Sequence, residues 1–166
     1  MAESKLHFVQ QQGFEKASAT SCPANYSALM FQPRVVGVIV LAALVLQSAP
    51  LFLALSALLW WNALLPTHNP FDALYNRLIA EQRQLPRLEP APPPRRFAQG
   101  MAGSFMLAVG VCLLAGWLLA AWIIQGLLVA ALSALIFGRF CLGSYLYHLL
   151  HGRTGFANRT LPWAHR

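Results

Sequence analysis

Charge is scarce in this sequence. Asp, Glu, Lys and Arg make up 10% of its 166 residues, against roughly 25% in a typical soluble domain. The scarcity is also concentrated, because no charged side chain occurs between Arg34 and Asp72 or between Arg96 and Arg139. Cysteine is rare too. Cys22, Cys112 and Cys141 are all there is, which excludes a disulfide framework. Residues 1–30 lack a basic start followed by an apolar run, so they do not read as a cleaved signal peptide. The first apolar span then serves as its own insertion signal. His68, His148, His151 and His165 lack the close paired spacing, with a carboxylate between, of a helical zinc motif. Neither a metal nor a cofactor is expected. Acids are fewest of all, five against twelve Lys and Arg, for a net charge of +7. These basic residues are spread over segments flanking the uncharged windows, with no cluster interleaved with aromatics. Nucleic acid is therefore not an expected partner, and anionic lipid headgroups account for the charge.

What the sequence has in quantity is hydrophobic side chains, 57% of the total. Both uncharged windows are long enough to cross a hydrocarbon core of roughly 30 Å at about 1.5 Å per helical residue. The first, Val35–Leu65, would overshoot that thickness by about half as one helix. Pro50 removes a helix hydrogen bond and disfavours helical geometry at Ala49. The preferred reading is two short spans, 35–48 and 50–65, with one long helix as the alternative. The second window divides near Gly116-Trp117 into spans 97–115 and 118–138, the last helix continuing to about residue 150.

Charge placement favours the count of four. With four spans, the N-terminus, the loop 67–96 and the C-terminus with its tail 152–166 share one side, with Arg34 and Arg139 at the span ends on that side. All twelve Lys and Arg then lie there, which marks it as cytoplasmic. Three spans would put the five central-loop arginines (Arg77, Arg83, Arg87, Arg95 and Arg96) outside. Trp60, Trp61, Trp117 and Trp122 fall near span ends, where indoles prefer to sit. The expected fold class is an all-α membrane protein, two transmembrane hairpins with an amphipathic helix between them. Residues 1–31 are expected to be poorly ordered, and Met30 is an alternative start.

That intervening helix has its own start signals, Asn69 as cap and Pro70 at the first position. Phe71, Leu74, Tyr75, Leu78 and Ile79 recur at helical spacing, suited to a membrane surface or to packing under the bundle. Five prolines in residues 86–94 then predict an extended tether. In the third span small residues recur every fourth position, Gly100, Ser104, Ala108, Cys112 and Gly116. In the fourth they are Gly126, Ala130, Ala134 and Gly138. Such rows let helix backbones approach closely in lipid, so these two helices are expected to pack on each other. Cys112 reads as a small packing residue.

Chemistry, if any, is expected in the extension of the last helix. Cys141, Ser144, Tyr145 and His148 share one helical face, and an imidazolium there would favour a Cys141 thiolate. Juxtamembrane Tyr and His also serve as plain anchors. The spans themselves offer only Gln47, Asn62, Gln125 and scattered serines, which disfavours an ionisable transport path.

Three runs are distinctive: THNPFDALYNRLIAEQ, LEPAPPPRRFAQGMAG and ALIFGRFCLGSYLY. They resemble the bacterial membrane family known as domain of unknown function 4395, over about residues 32–150. The resemblance implies a bacterial plasma-membrane protein and supplies no reaction. The family's closing motif is often Cys-Leu-Gly-Cys. Here Cys141 matches the first cysteine and Ser144 stands at the second, so a mixed disulfide could not be resolved internally. Cys22 is an alternative partner for Cys141. The leading expectation is a non-enzymatic scaffold or accessory component with a membrane or cytoplasmic protein partner. The competing one is a thiol-redox or sulfur-handling protein centred on Cys141, Ser144 and His148.

Overall fold

The computed structural model describes residues 2–15 and 22–164. Every regular element in them is helical. Helix α1 (Ala2–Gln11) is followed by α2 (Cys22–Val45), α3 (Ala49–Leu64), α4 (Pro70–Tyr75), α5 (Pro93–Leu114), α6 (Leu118–Ile136), α7 (Leu142–Leu150) and α8 (Thr154–Arg159). A π-helical turn, Asn76–Ala80, extends α4. Among the described residues three helical segments are long and apolar enough to cross a membrane, Asn25–Val45, Pro93–Leu114 and Leu118–Ile136. The fourth apolar helix, α3, has 16 residues and spans about 24 Å.

The first window is two helices. The break falls at Leu46–Ser48, where Gln47 takes a positive φ of 45° and Pro50 sits in the first turn of α3. A proline there forfeits a hydrogen bond the helix start would not have made. The second window breaks at Ala115–Trp117, with Gly116 at φ +74°, a conformation L side chains rarely adopt.

The most extensive helix pairing is α3 with α5. They run antiparallel, since a Cβ at Gly110 would approach the Ala49 carbonyl while Gly100 faces Ala63. Two glycines make the approach close. A Cβ at Gly103 would lie 2.9 Å from the Trp60 indole, and one at Gly110 2.7 Å from Leu53. Ser56 Oγ donates to the Gly103 carbonyl at 2.8 Å across the same seam. The expected packing of α5 on α6 is present as well, although the small-residue rows are not its seam. Gly126 has no neighbour within Cβ reach, Ala130 and Gly138 are exposed, and Ser104 bonds back to the Gly100 carbonyl. Of the row on α5, only Gly100 and Cys112 are buried. A strict four-residue repeat drifts around the helix, whereas Gly103 and Gly110, nearly two turns apart, stay on one face.

Two cores stack along the bundle. The apolar one joins Val36, Val40, Phe52, Leu55, Leu59, Met106, Val109 and Leu128 from α2, α3, α5 and α6. Outside it, Val38, Leu41, Val45, Leu107, Val111, Leu119, Ile123 and Leu127 remain exposed, an apolar belt suited to lipid. The second core caps the end carrying α1, α4 and α7. It gathers Phe8, Val9, Leu29, Met30, Tyr75, Ala80, Leu88 and Cys141.

This cap corrects two expectations. Residues 1–31 are not a poorly ordered segment where they are described, because α1 and the first turns of α2 supply much of the second core. Phe8, Val9 and Met30 are essentially inaccessible. The last long apolar helix also does not run on to residue 150. It stops at Ile136, because Arg139 turns to a φ of 54° and a Cβ at Gly138 would sit 2.6 Å from the Ala134 carbonyl. Chain direction changes, and α7 starts anew after Cys141. Gly152, at φ +71°, ends α7 as expected, and α8 lies in what was read as a tail.

The amphipathic stretch divides its apolar residues between two environments. Asn69 Oδ1 caps α4, accepting from the Phe71 and Asp72 amides. Phe71 and Tyr75 are buried, Leu74 and Leu78 exposed.

Candidate functional site

Polar side chains meet where the two cores join. Asp72 comes from the capped start of α4, Arg95 and Gln99 from the first turns of α5, and Gln32 from α2. The Arg95 guanidinium grips Asp72 with both arms, Nη1 to Oδ2 at 3.0 Å and Nη2 to Oδ1 at 2.7 Å. Nη2 also donates to Gln32 Oε1 at 2.9 Å, and Gln99 Nε2 donates to that oxygen at 2.9 Å. Asn69 Nδ2 donates to Asp72 Oδ2 at 3.0 Å. The pair is deeply enclosed, its side chains 5% and 11% exposed. A planar, bidentate Arg–carboxylate pair with further hydrogen bonds is what makes such burial tolerable. One group remains open: Gln99 Oε1 is buried and accepts no hydrogen bond.

A second polar knot holds α1, α5 and α7 together. The Cys141 amide donates to Gln11 Oε1 at 3.0 Å, and His148 Nε2 donates to the Gln11 carbonyl at 3.0 Å. Ser144 Oγ donates to the Pro94 carbonyl at 3.3 Å. Gly143 lies flat on α5, where an added Cβ would meet Ala98 Cα at 2.7 Å. His148 is fully enclosed, with Phe156 edge-on at 4.8 Å between ring centres. Burial holds its pKa below the ordinary 6.5, partly offset by the bond to the Gln11 carbonyl.

The structure does not join, through their side chains, the four residues that shared a helical face in the sequence. Ser144, Tyr145 and His148 lie on α7, while Cys141 is the extended residue before it, at φ −98° and ψ 101°. Their hydrogen bonds go elsewhere: Tyr145 to Asn158, Ser144 to Pro94, His148 to Gln11. None reaches the Cys141 sulfur. That thiol is free and buried, as is Cys112. The side chain of Cys22, and with it a Cys22–Cys141 pair, falls outside the described residues, as does His165. Among the described residues no group of His, Cys, Asp or Glu is arranged to hold a metal.

Beside the Arg95 junction lies a cavity of about 430 Å³. Its lining includes Arg95, Gln32, Gln99 and Cys141 together with the apolar Val36, Leu59, Met106, Leu128 and Leu132. The sequence reading passed over Asp72, Arg95, Gln32 and Gln99. The available signal was positional. Asp72 is the chain's sole aspartate and closes the first uncharged window, and the Arg95-Arg96 pair opens the second. Asn69 and Asp72, then Arg95 and Gln99, also stand inside two of the runs that carry the family resemblance.

An all-α fold with several membrane-length apolar helices, closed at one end by a buried ionic junction, defines the class of protein. The chain belongs to the family described as Domain of unknown function (DUF4395), which matches residues 25–151. No curated protein and no solved structure matches it.

Proposed function

We propose that this chain is a four-span integral protein of a bacterial plasma membrane, and that it works as a non-enzymatic scaffold or accessory component. In this reading α2–α3 and α5–α6 are two transmembrane hairpins. The N-terminus through Arg34, residues 67–96 and the C-terminus from Arg139 lie on the cytoplasmic side, where all twelve Lys and Arg collect. The short α3 crosses by local thinning of the bilayer. A membrane or cytoplasmic protein is the partner, and the lipid bilayer is the solvent.

One observation carries the functional part. The polar side chains at the cytoplasmic end are engaged in holding helices together: Arg95 with Asp72 and Gln32, Ser144 with Pro94, and His148 with Gln11. A catalytic constellation would aim a nucleophile, a base and an orienting group at one point. The competing thiol reading has one supporting observation, that Cys141 lines the cavity.

The test is crosslinking in native membranes followed by purification. A reproducible protein partner, crosslinked through residues 65–92 or the termini, is expected. Recovery as an isolated monomer would sink the scaffold reading. Cysteines introduced at Ser48 and Trp117 should react with an impermeant maleimide from outside, and protection of Ser48→Cys would overturn the four-span arrangement. The thiol reading is separated by alkylation of Cys141 against pH, since a rate following an ordinary thiol, at roughly pH 8.5, removes it.

A further inference from the structure

We infer that the groove between the end of α3 and the start of α5 binds an anionic glycerophospholipid of the surrounding bilayer, its phosphate on Arg96 and one acyl chain along α5. The groove, about 480 Å³ in volume, is walled by Trp60, Leu64, Phe97, Met101 and Phe105. Gly100 leaves its floor bare, since a Cβ there would have no neighbour nearer than 3.8 Å. Trp60, Leu64, Phe97 and Phe105 are also exposed on the outside of the bundle, so the groove lies open to lipid along its side. From Arg96 to Phe105 it follows α5 for roughly 14 Å, close to the depth of one leaflet.

Arg96 decides the occupant. Its Nε donates to the Ala63 carbonyl at 2.7 Å, which fixes the guanidinium at one end of the groove. Nη1 and Nη2 have no partner among the described residues, and neither is shut away from solvent. The side chain is half-buried and forms no ion pair among those residues. Few acids remain to supply one: of the chain's five, Glu15 is held by Arg153, Asp72 by Arg95 and Glu81 by Arg87. A half-buried cation without a counter-ion calls for an anion from outside, and two parallel N–H donors match two phosphate oxygens. The apolar walls beside it call for hydrocarbon, so one molecule carrying both groups fits the whole groove. A zwitterionic phospholipid brings its own cation and neutralises Arg96 less well. The neighbouring Arg95 adds no net charge, because Asp72 already balances it. The inference rests on the membrane placement proposed above, which sets Arg96 and Trp60 at the cytoplasmic headgroup level, but not on any protein partner.

The test uses the full chain purified in detergent micelles and native mass spectrometry, which resolves lipid-bound from lipid-free protein. Micelles have no leaflets, so an error in the four-span arrangement does not mimic a failure of this site. Phosphatidylglycerol should bind roughly 10-fold more tightly than phosphatidylcholine with the same chains, the worth of a charge-assisted contact at a half-exposed position. Arg96→Gln, which keeps a side-chain donor for the Ala63 carbonyl, should erase that preference. Arg83→Gln removes the same charge from an exposed position outside the groove and should leave the preference intact. Ser104→Phe fills the groove from an exposed position on its lining. It should weaken binding of both lipids, and it tests the groove even if Arg96→Gln folds poorly. A large excess of glycerol phosphate, a head without chains, should not displace the lipid. Equal affinity for the two lipids, an equal loss in Arg83→Gln (diffuse charge only), binding unchanged by Ser104→Phe (annular lipid only), or displacement by glycerol phosphate (a soluble-anion site) overturns the proposal.

Discussion

Removing Asp72 should destabilise the protein more than any other single substitution at the junction. Asp72→Ala takes away the acceptor of both Arg95 arms and of Asn69 Nδ2. The guanidinium, its side chain 5% exposed, is left with Gln32 alone. Breaking a buried ion pair by deleting one partner costs about 3–5 kcal/mol. The retained Gln32 bond places this case near the lower end, about 3 kcal/mol, or roughly a hundredfold in the folded-to-unfolded ratio. The apolar double variant Asp72→Leu/Arg95→Met should behave differently. Gln32 keeps its bond from Gln99, and only Asn69 Nδ2 loses its partner, so the loss should be about 1 kcal/mol. Both are measured by titrating dodecyl sulfate into detergent micelles and following tryptophan fluorescence. If Asp72→Ala costs under about 1 kcal/mol, or the double variant is as unstable as the single one, the junction is not a desolvated ion pair and the reasoning fails.

Other perturbations test other parts of the structure. Asn62 is fully buried with neither amide atom hydrogen-bonded; Asn62→Leu should therefore raise stability by about 1–3 kcal/mol, and a loss in the same titration would mean the amide has a partner. Gly143→Ala should push α7 off α5, since the new Cβ would lie 2.7 Å from Ala98 Cα and Cβ. A cost of about 1–3 kcal/mol and faster alkylation of Cys141 are expected; an unchanged alkylation rate would argue against the contact. His148 is held neutral by burial, its pKa below 6.5. Below that value the unfolded chain takes up a proton that the folded one resists, so stability should fall as pH drops from 7.5 to 5.5. His148→Gln should remove part of that slope, and an unaltered slope would assign it to other groups.

The sequence was informative about whatever depends on local composition. Uncharged windows bounded by Arg34, Asp72, Arg96 and Arg139 located the apolar helices. Pro50 and Gly116 marked the breaks within them, and Asn69-Pro70 marked the start of α4. Family membership was legible too, in the runs around Asp72, Arg95 and Cys141. These features survive because proline, glycine and capping residues act within a few bonds, and hydropathy needs no partner.

Tertiary structure decided which faces meet, and there the local reading went astray. A four-residue row of small side chains resembles a packing ridge, but Gly103 and Gly110 form the seam because α3 lies against them. Residues 2–15 look too polar to fold alone, yet Phe8 and Val9 are buried once α2 and α7 are beside them. The run from Ile136 to Leu150 is helix-compatible throughout, but Gly138 and Arg139 turn the chain, which moves Cys141 out of line with Ser144 and His148. Above all, Asp72 and Arg95 are distant in sequence and each reads as an ordinary flanking charge. Only when α4 and α5 fold together are both removed from water, and the two charges become the ionic lock that ties α4 to the start of α5.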